Sequence, residues 1–166
     1  MKKAKDAGPD TDWQRIWLSA RKREWNSVAI VPSHTGIDVA EVAERLTETG
    51  RVHGERSVKL INAIGVQLAA VNELIESIEA AAAHGELVVV PVDPISENPS
   101  TMAIVRAMSA SLLVVRLGES QIAAAQSVID TIGRDRLLGS VVLDPVKSGR
   151  RAAKRVAETA EKSTVG

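Results

Sequence analysis

The sequence predicts a doubly wound, five-stranded parallel sheet with helices on both faces, a three-layer α/β/α domain. Three observations lead there. Short apolar runs recur along the chain and alternate with stretches of helical periodicity. One run, Leu87-Val88-Val89-Val90-Pro91-Val92, is apolar at every position, which suits a parallel strand covered on both sides. A β-branched run at 28–31 stops at the turn Pro32-Ser33-His34-Thr35-Gly36. Beyond it Val39, Val42, Ala43 and Leu46 fall at helical spacing.

The elements follow in order. Residues 1–10 are polar and contain Gly8 and Pro9, so a disordered terminus is expected. Thr11 or Asp12 can cap a helix over 13–24, with Trp13, Ile16, Trp17 and Ala20 on one face. That face suits a helix covering one side of the core. Arg15, Arg21, Lys22 and Arg23 lie on its flank and far side, a basic surface free for a partner. After the strand at 28–31, a helix over 38–49 is expected to stop at Gly50, a good C-cap residue.

A second strand reads over 58–64. A long helix over 66–83 would turn Leu68, Val71, Leu74, Ile75 and Ile78 inward. The third strand covers 87–92, and 93–100 is the most loop-like internal stretch. A helix over 101–110 and a fourth strand over 112–117 follow. Gly118 begins the approach to a helix ending near 132, and the fifth strand occupies 138–143. The segment 148–166 is basic and Ala-rich, a helix or a tail, with Arg150, Arg151, Lys154 and Arg155 near its start. Cations in a first helical turn oppose the macrodipole, which hints at an acidic partner. A solvated, frayed tail is the plainer reading. The organisation expected is therefore a disordered 1–10, a single domain over 11–147 and a basic segment over 148–166.

Composition narrows the function classes. The 166 residues suffice for one core, and 45% hydrophobic with 25% charged is the globular norm. Lys plus Arg and Asp plus Glu both number 21, so no net field recruits nucleic acid. There is no cysteine, which excludes disulfides, thiol chemistry and Cys-based zinc sites. No apolar stretch follows Met1-Lys2-Lys3, so a signal peptide is not expected, and no run is long enough to span a bilayer. A cytoplasmic protein without membrane insertion is the expectation. The only aromatic residues are Trp13, Trp17 and Trp25.

In an open α/β sheet the first strand–turn–helix is where phosphate is usually held, by turn N–H groups and the positive helix end. A loop of the form G-x-x-x-x-G-K-[ST] needs glycines, a lysine and a magnesium-binding hydroxyl. The turn Ser33-His34-Thr35-Gly36-Ile37-Asp38 offers one glycine, no lysine, and a carboxylate close to where phosphate would lie. Ser33, His34 and Asp38 also hint at a nucleophilic relay, although G-x-S-x-G is absent and one turn cannot easily orient all three. His53 and His84 fall in polar connections and are expected to be solvated. Asp93, at a strand end, could hold magnesium or accept a phosphoryl group, or could cap its own Pro turn.

The segment order resembles the cytoplasmic ATPase domain of bacterial tyrosine kinases of capsule and exopolysaccharide export, within the MinD/ParA-like P-loop class. The resemblance spans roughly 12–146. In that family an E-x-x-R helix precedes the phosphate-loop strand, and Asp12-Trp13-Gln14-Arg15 stands in that place. The family's second strand ends in Asp-x-Asp, where this chain has Asn62-Ala63-Ile64. Its third ends in an Asp near prolines, similar to Val92-Asp93-Pro94. Its fourth and fifth are similar to Leu112-Leu113-Val114-Val115-Arg116 and to Leu137-Leu138-Gly139-Ser140-Val141-Val142-Leu143, with Asp144 where the family usually has Asn.

The departures bear on function. Ile37 stands where the family has its lysine, the paired aspartates are Asn62 and Ile64, and a tyrosine cluster cannot exist without tyrosine. At most Asp93 remains of the acidic set. The resemblance therefore implies a degenerate P-loop-like domain, a pseudo-kinase or pseudo-ATPase with no cofactor and no metal, acting through protein contacts in polysaccharide biosynthesis or export. A protein partner is expected, a membrane export component being one candidate. A homo-oligomer is also compatible. The helix bearing Asp12, Trp13, Arg15 and Trp17 is the interface candidate, because the family's E-x-x-R helix contacts neighbouring subunits. Burial of at least one tryptophan within the domain is expected.

Two other readings remain. One is a divergent nucleotide-dependent kinase or ATPase. The other is a receiver-like signalling domain using Asp93. A P-loop relative should place its strands in the order 2-3-1-4-5, and a receiver-like domain in the order 2-1-3-4-5.

Overall fold

In the computed structural model, residues 3–118 and 121–144 are described. In chain order the elements are α1 (Lys3–Ala20), β1 (Ser27–Pro32), α2 (Val39–His53), β2 (Val58–Leu60), a 3-10 turn (Leu68–Ala70), α3 (Val71–Ala83), β3 (Leu87–Pro91), α4 (Pro99–Ala107), β4 (Ala110–Arg116), α5 (Ile122–Ile132) and β5 (Leu137–Leu143). The strands pair in parallel in the order β2-β3-β1-β4-β5. This is the order expected of a P-loop relative, and it removes the receiver-like arrangement.

The central strands β1 and β3 are buried at every position, as their unbroken apolar runs require. Two cores result, one per face. On one face α1 and α2 bring Trp13, Ile16, Trp17, Val42 and Leu46 against Val28, Ile30 and Val89. On the other, Val71, Ile78, Ile104 and Ile129, from α3, α4 and α5, pack on Ala29, Val31, Val88 and Val90. This is a three-layer α/β/α sandwich.

Several boundaries differ from the sequence reading, each for a physical reason. Residues 3–10, expected to be disordered, belong to α1. The backbone of the Trp-bearing helix continues upstream to Lys3. At its other end α1 stops at Ala20, short of Glu24. The indole of Trp25 folds back, its Nε1–H donating to the Ala20 carbonyl at 2.9 Å. Trp25 also meets Trp17 edge to face, with ring centroids 6.0 Å apart.

Gly50 does not cap α2. The helix runs through it to His53, and Gly54 forms the cap, its N–H donating to the Gly50 carbonyl. Gly50 is glycine for packing, because Trp17 lies against it. The second strand shortens to Val58–Leu60, although Ile61 N–H and Ala63 N–H still donate to the Val89 and Pro91 carbonyls, each at 3.0 Å. The long helix expected over 66–83 breaks into the 3-10 turn and α3. Leu68 is consequently 66% exposed rather than turned inward, while Val71 and Ile78 are buried.

Arg21 and Arg23, expected on a free basic surface, are used internally. Arg21 sits 5.1 Å from the Trp25 ring centroid. Arg23 Nη1 donates to the Leu137 carbonyl at 2.8 Å, and Nη2 donates to the Asp135 carbonyl. The chain leaving α1 is thereby tied to the start of β5. The basic segment expected over 148–166 lies outside the described residues.

Candidate functional site

The carboxyl ends of β1, β2 and β3 enclose a cleft of about 210 Å³, lined by Pro32, Thr35, Gly36, Ile37, Asp38, Val39, Ile64, Val92, Asp93, Pro94 and Glu97. In doubly wound folds this is where ligands sit. Three of these residues are carboxylates, and none is Lys, Arg or His. The walls are largely apolar, with Ile64 39% exposed beside the cleft.

The turn from β1 into α2 is held from both sides. Ser33 is buried, and its N–H donates to the Val114 carbonyl at 2.9 Å, extending the β1–β4 ladder by one bond. Gly36 has φ +96°, a conformation that favours glycine, and an added Cβ there would meet nothing within 4 Å. The open side of the turn faces the cleft. Ile37 turns into the α1/α2-side core and is 8% exposed.

Asp38 is the N-cap of α2. Its Oδ1 accepts the Glu41 N–H at 3.1 Å, and the Val39 N–H donates to the Ile37 carbonyl at 3.0 Å. Two of the helix-end donors that would greet a phosphate are therefore taken by the protein itself. A carboxylate stands at the positive end of the helix dipole, where an anionic ligand would otherwise be favoured.

The structure does not assemble a nucleophilic relay. His34 Nδ1 meets the Thr35 carbonyl at 2.7 Å, which is where a relay carboxylate would have to be. Its Nε2 is buried without a hydrogen-bond partner, so it does not engage the Ser33 hydroxyl. Thr35 is exposed at the rim.

Asp93 does not cap its own turn. Its Oδ2 accepts the Gly65 N–H and the Asn98 Nδ2–H, each at 2.7 Å. Asn98 in turn caps α4 through Ser100 N–H at 3.0 Å and donates to the Val66 carbonyl at 3.2 Å. Asp93 thus staples the end of β3 to the loop after β2 and to the start of α4. Gly65 has φ +79°, which lets its N–H turn toward the carboxylate.

The other sequence candidates lie away from the cleft. Trp13 and Trp17 are each 3% exposed, so both are core residues. Asp12 and Arg15 make a long ion pair of 3.9 Å with the Arg15 side chain 70% exposed, worth little in stability. His53 Nε2 lies 3.3 Å from Gln14 Nε2, and His84 Nδ1 lies 2.7 Å from the Ala80 carbonyl. Among the described residues no group of three or more His, Asp or Glu could hold a metal ion. No described helix is long and apolar enough to cross a membrane.

No protein-family model matches the chain, and no curated protein sequence does. Solved structures do. The chain is similar to the crystal structure of the chimerical protein CapA2B2, with a TM-score of 0.65 and 11% identity over 80% of this chain and 82% of that one. The two share a fold. At that identity the likeness is one of architecture, and it is independent of the sequence motifs.

Sequence reasoning missed the pairing of Asp93 with Gly65 and Asn98, and the place of Glu97 on the cleft. The one available signal was Asn98-Pro99, a capping residue before a proline at the first helical position. It marks the start of α4 and places Asn98 within reach of the preceding turn.

Proposed function

We propose that this chain is a P-loop-like domain of the capsule and exopolysaccharide tyrosine-kinase class that no longer processes nucleotide and acts through contacts with other proteins. The observation that carries the reading is Asp38 Oδ1 on the Glu41 N–H at 3.1 Å. The helix terminus suited to a phosphate already holds a carboxylate, and adding a polyphosphate there would set like charges against each other. The surroundings agree. Ile37 lies in the core in place of a lysine, Asp93 is engaged by two donors, and the cleft carries no cationic lining residue. Its volume, about 210 Å³, is below the roughly 300–1,000 Å³ of small-molecule sites.

A phosphate-release and phosphotransfer assay tests this. With magnesium and ATP, release should not exceed the protein-free blank. Turnover near the roughly 1–100 s⁻¹ of kinases would overturn the proposal and favour a divergent enzyme with an atypical loop.

A further inference from the structure

A groove follows the seam between α1 and α2, at the opposite end of α2 from Asp38. It has two compartments that share His53. One, of about 270 Å³, is lined by Trp17, Leu18 and Leu87 and by Arg21 and Arg56. The other, of about 210 Å³, has Trp13, Gln14 and Val52 on its walls. Leu18 on α1 is 67% exposed and Val52 on α2 is 69% exposed, so apolar surface lies open on both banks. Each compartment is smaller than the roughly 300–1,000 Å³ of a small-molecule site. Each has room for a few side chains, which suits a protein segment.

The larger compartment carries two cations whose orientation is fixed and whose charge is unmatched. Arg21 Nη1 donates to the Trp25 carbonyl at 3.3 Å, and its guanidinium lies 5.1 Å from the centroid of the Trp25 ring. Arg56 Nε donates to the Gly85 carbonyl at 3.0 Å, and its Nη2 donates to Asn26 Oδ1 at 3.4 Å. Neutral acceptors thus hold both side chains. Among the described residues neither arginine forms an ion pair, and Glu55, a carboxylate on the same lining, pairs with neither. The helix-end carbonyls have donors of their own. Those of Trp17, Ser19 and Gly50 accept the backbone N–H of Arg21, Lys22 and Gly54, and that of Ala20 accepts the Trp25 indole. A guanidinium held in this way loses little rotamer freedom on meeting a carboxylate, and it keeps unused N–H donors for one.

We propose that the groove between α1 and α2 takes an acidic protein segment, seating a carboxylate on Arg21 and Arg56 and an apolar side chain against Trp17, Leu18 and Leu87. The proposal rests on the reading that this chain acts through protein contacts, and it names the chemistry of the partner. The charges are opposite, the donors are already oriented, and the apolar banks add contact area that a free anion does not use.

Fluorescence anisotropy of the full chain tests it, with a short fluorescein-labelled peptide in which glutamate and leucine alternate. Saturable binding in the micromolar range is expected, weakening as salt screens the charges. Arg21→Gln with Arg56→Gln should weaken it roughly ten-fold or more. Lys22→Gln with Lys59→Gln removes the same number of cations from exposed positions off the groove and should change it by less than about two-fold. Leu18→Ser should weaken it several-fold with the fold intact, because that side chain is exposed. In the wild-type protein, amide shifts induced by the peptide should centre on 17–21 and 53–56, a result independent of how the variants fold. No saturable binding, equal binding by an all-glutamate or a lysine–leucine peptide, equal loss from the two double variants, or shifts centred elsewhere overturns the proposal. A dimer in light scattering that the peptide dissociates gives the groove to a second copy and overturns it as well. Magnesium-ATP turnover defeats the proposed function, whereas absent peptide binding without turnover defeats this site alone.

Discussion

Trp17 packs its six-membered ring against the α-carbon of Gly50. A Cβ built on Gly50 would lie 2.5 Å from Cη2 and 2.8 Å from Cζ3 of that ring. The contact sets how closely α1 approaches α2, and hence how the tryptophan layer closes one face of the sheet. Gly50→Ala should destabilise the domain by about 1–2 kcal/mol, because overpacking outweighs the roughly 1 kcal/mol gained from alanine's helix propensity. Urea denaturation followed by tryptophan fluorescence measures it. A stabilised variant would mean that α1 is not held against α2 by this contact.

Asp93 has a structural duty, and its removal should be felt at two distant backbone sites. Asp93→Ala leaves the Gly65 N–H and the Asn98 amide without their shared acceptor. The expected loss is about 2 kcal/mol, the range for hydrogen bonds to a charged group. Hydrogen exchange at Gly65 should accelerate. If Asp93 instead served as a phosphoryl acceptor, acetyl phosphate would shift the mass of the wild-type protein, and no such shift is expected.

The chain leaving α1 carries one fixed cation, Arg23, and one exposed cation, Lys22. Arg23→Ala loses the bonds to the Leu137 and Asp135 carbonyls and should cost roughly 1–2 kcal/mol. Lys22→Ala, at an exposed position, should fall within about 0.5 kcal/mol of wild type. Equal effects from the two substitutions would contradict this division.

These contrasts show what was legible in the chain. The parallel sheet followed from the apolar runs, because a strand buried on both faces leaves an unambiguous mark, while its strand order was implied by the resemblance alone. The composition of the turn at 33–38, with one glycine and no lysine, was legible without coordinates. Gly50 misled because glycine signals both a helix stop and a close approach, and only the tertiary partner, Trp17, separates the two meanings. Arg21 and Arg23 were read as free because their acceptors, the Trp25 carbonyl for Arg21 and the Leu137 and Asp135 carbonyls for Arg23, carry no sequence signal. The staple at Asp93 was hidden likewise, its donors being the backbone of Gly65 and the side chain of Asn98. Leu68 was assigned to an inner face by periodicity. The 3-10 turn changed the period just there, and the residue rotated outward.

Placing a lysine at position 37 should not create nucleotide binding. Ile37 is buried at 8% exposure within the α1/α2-side core. Ile37→Lys forfeits that burial, about 2 kcal/mol, and leaves Asp38 capping the helix. The variant should melt lower than wild type and remain without affinity for nucleotide. A gain of magnesium-ATP affinity from this single change would show that the turn can still wrap phosphates.

The account turns on whether the helix end at Asp38 is closed to phosphate. Isothermal titration of the full chain with magnesium-ATP at near-physiological concentration tests that most directly. No saturable heat is expected. A dissociation constant in the micromolar range would contradict it.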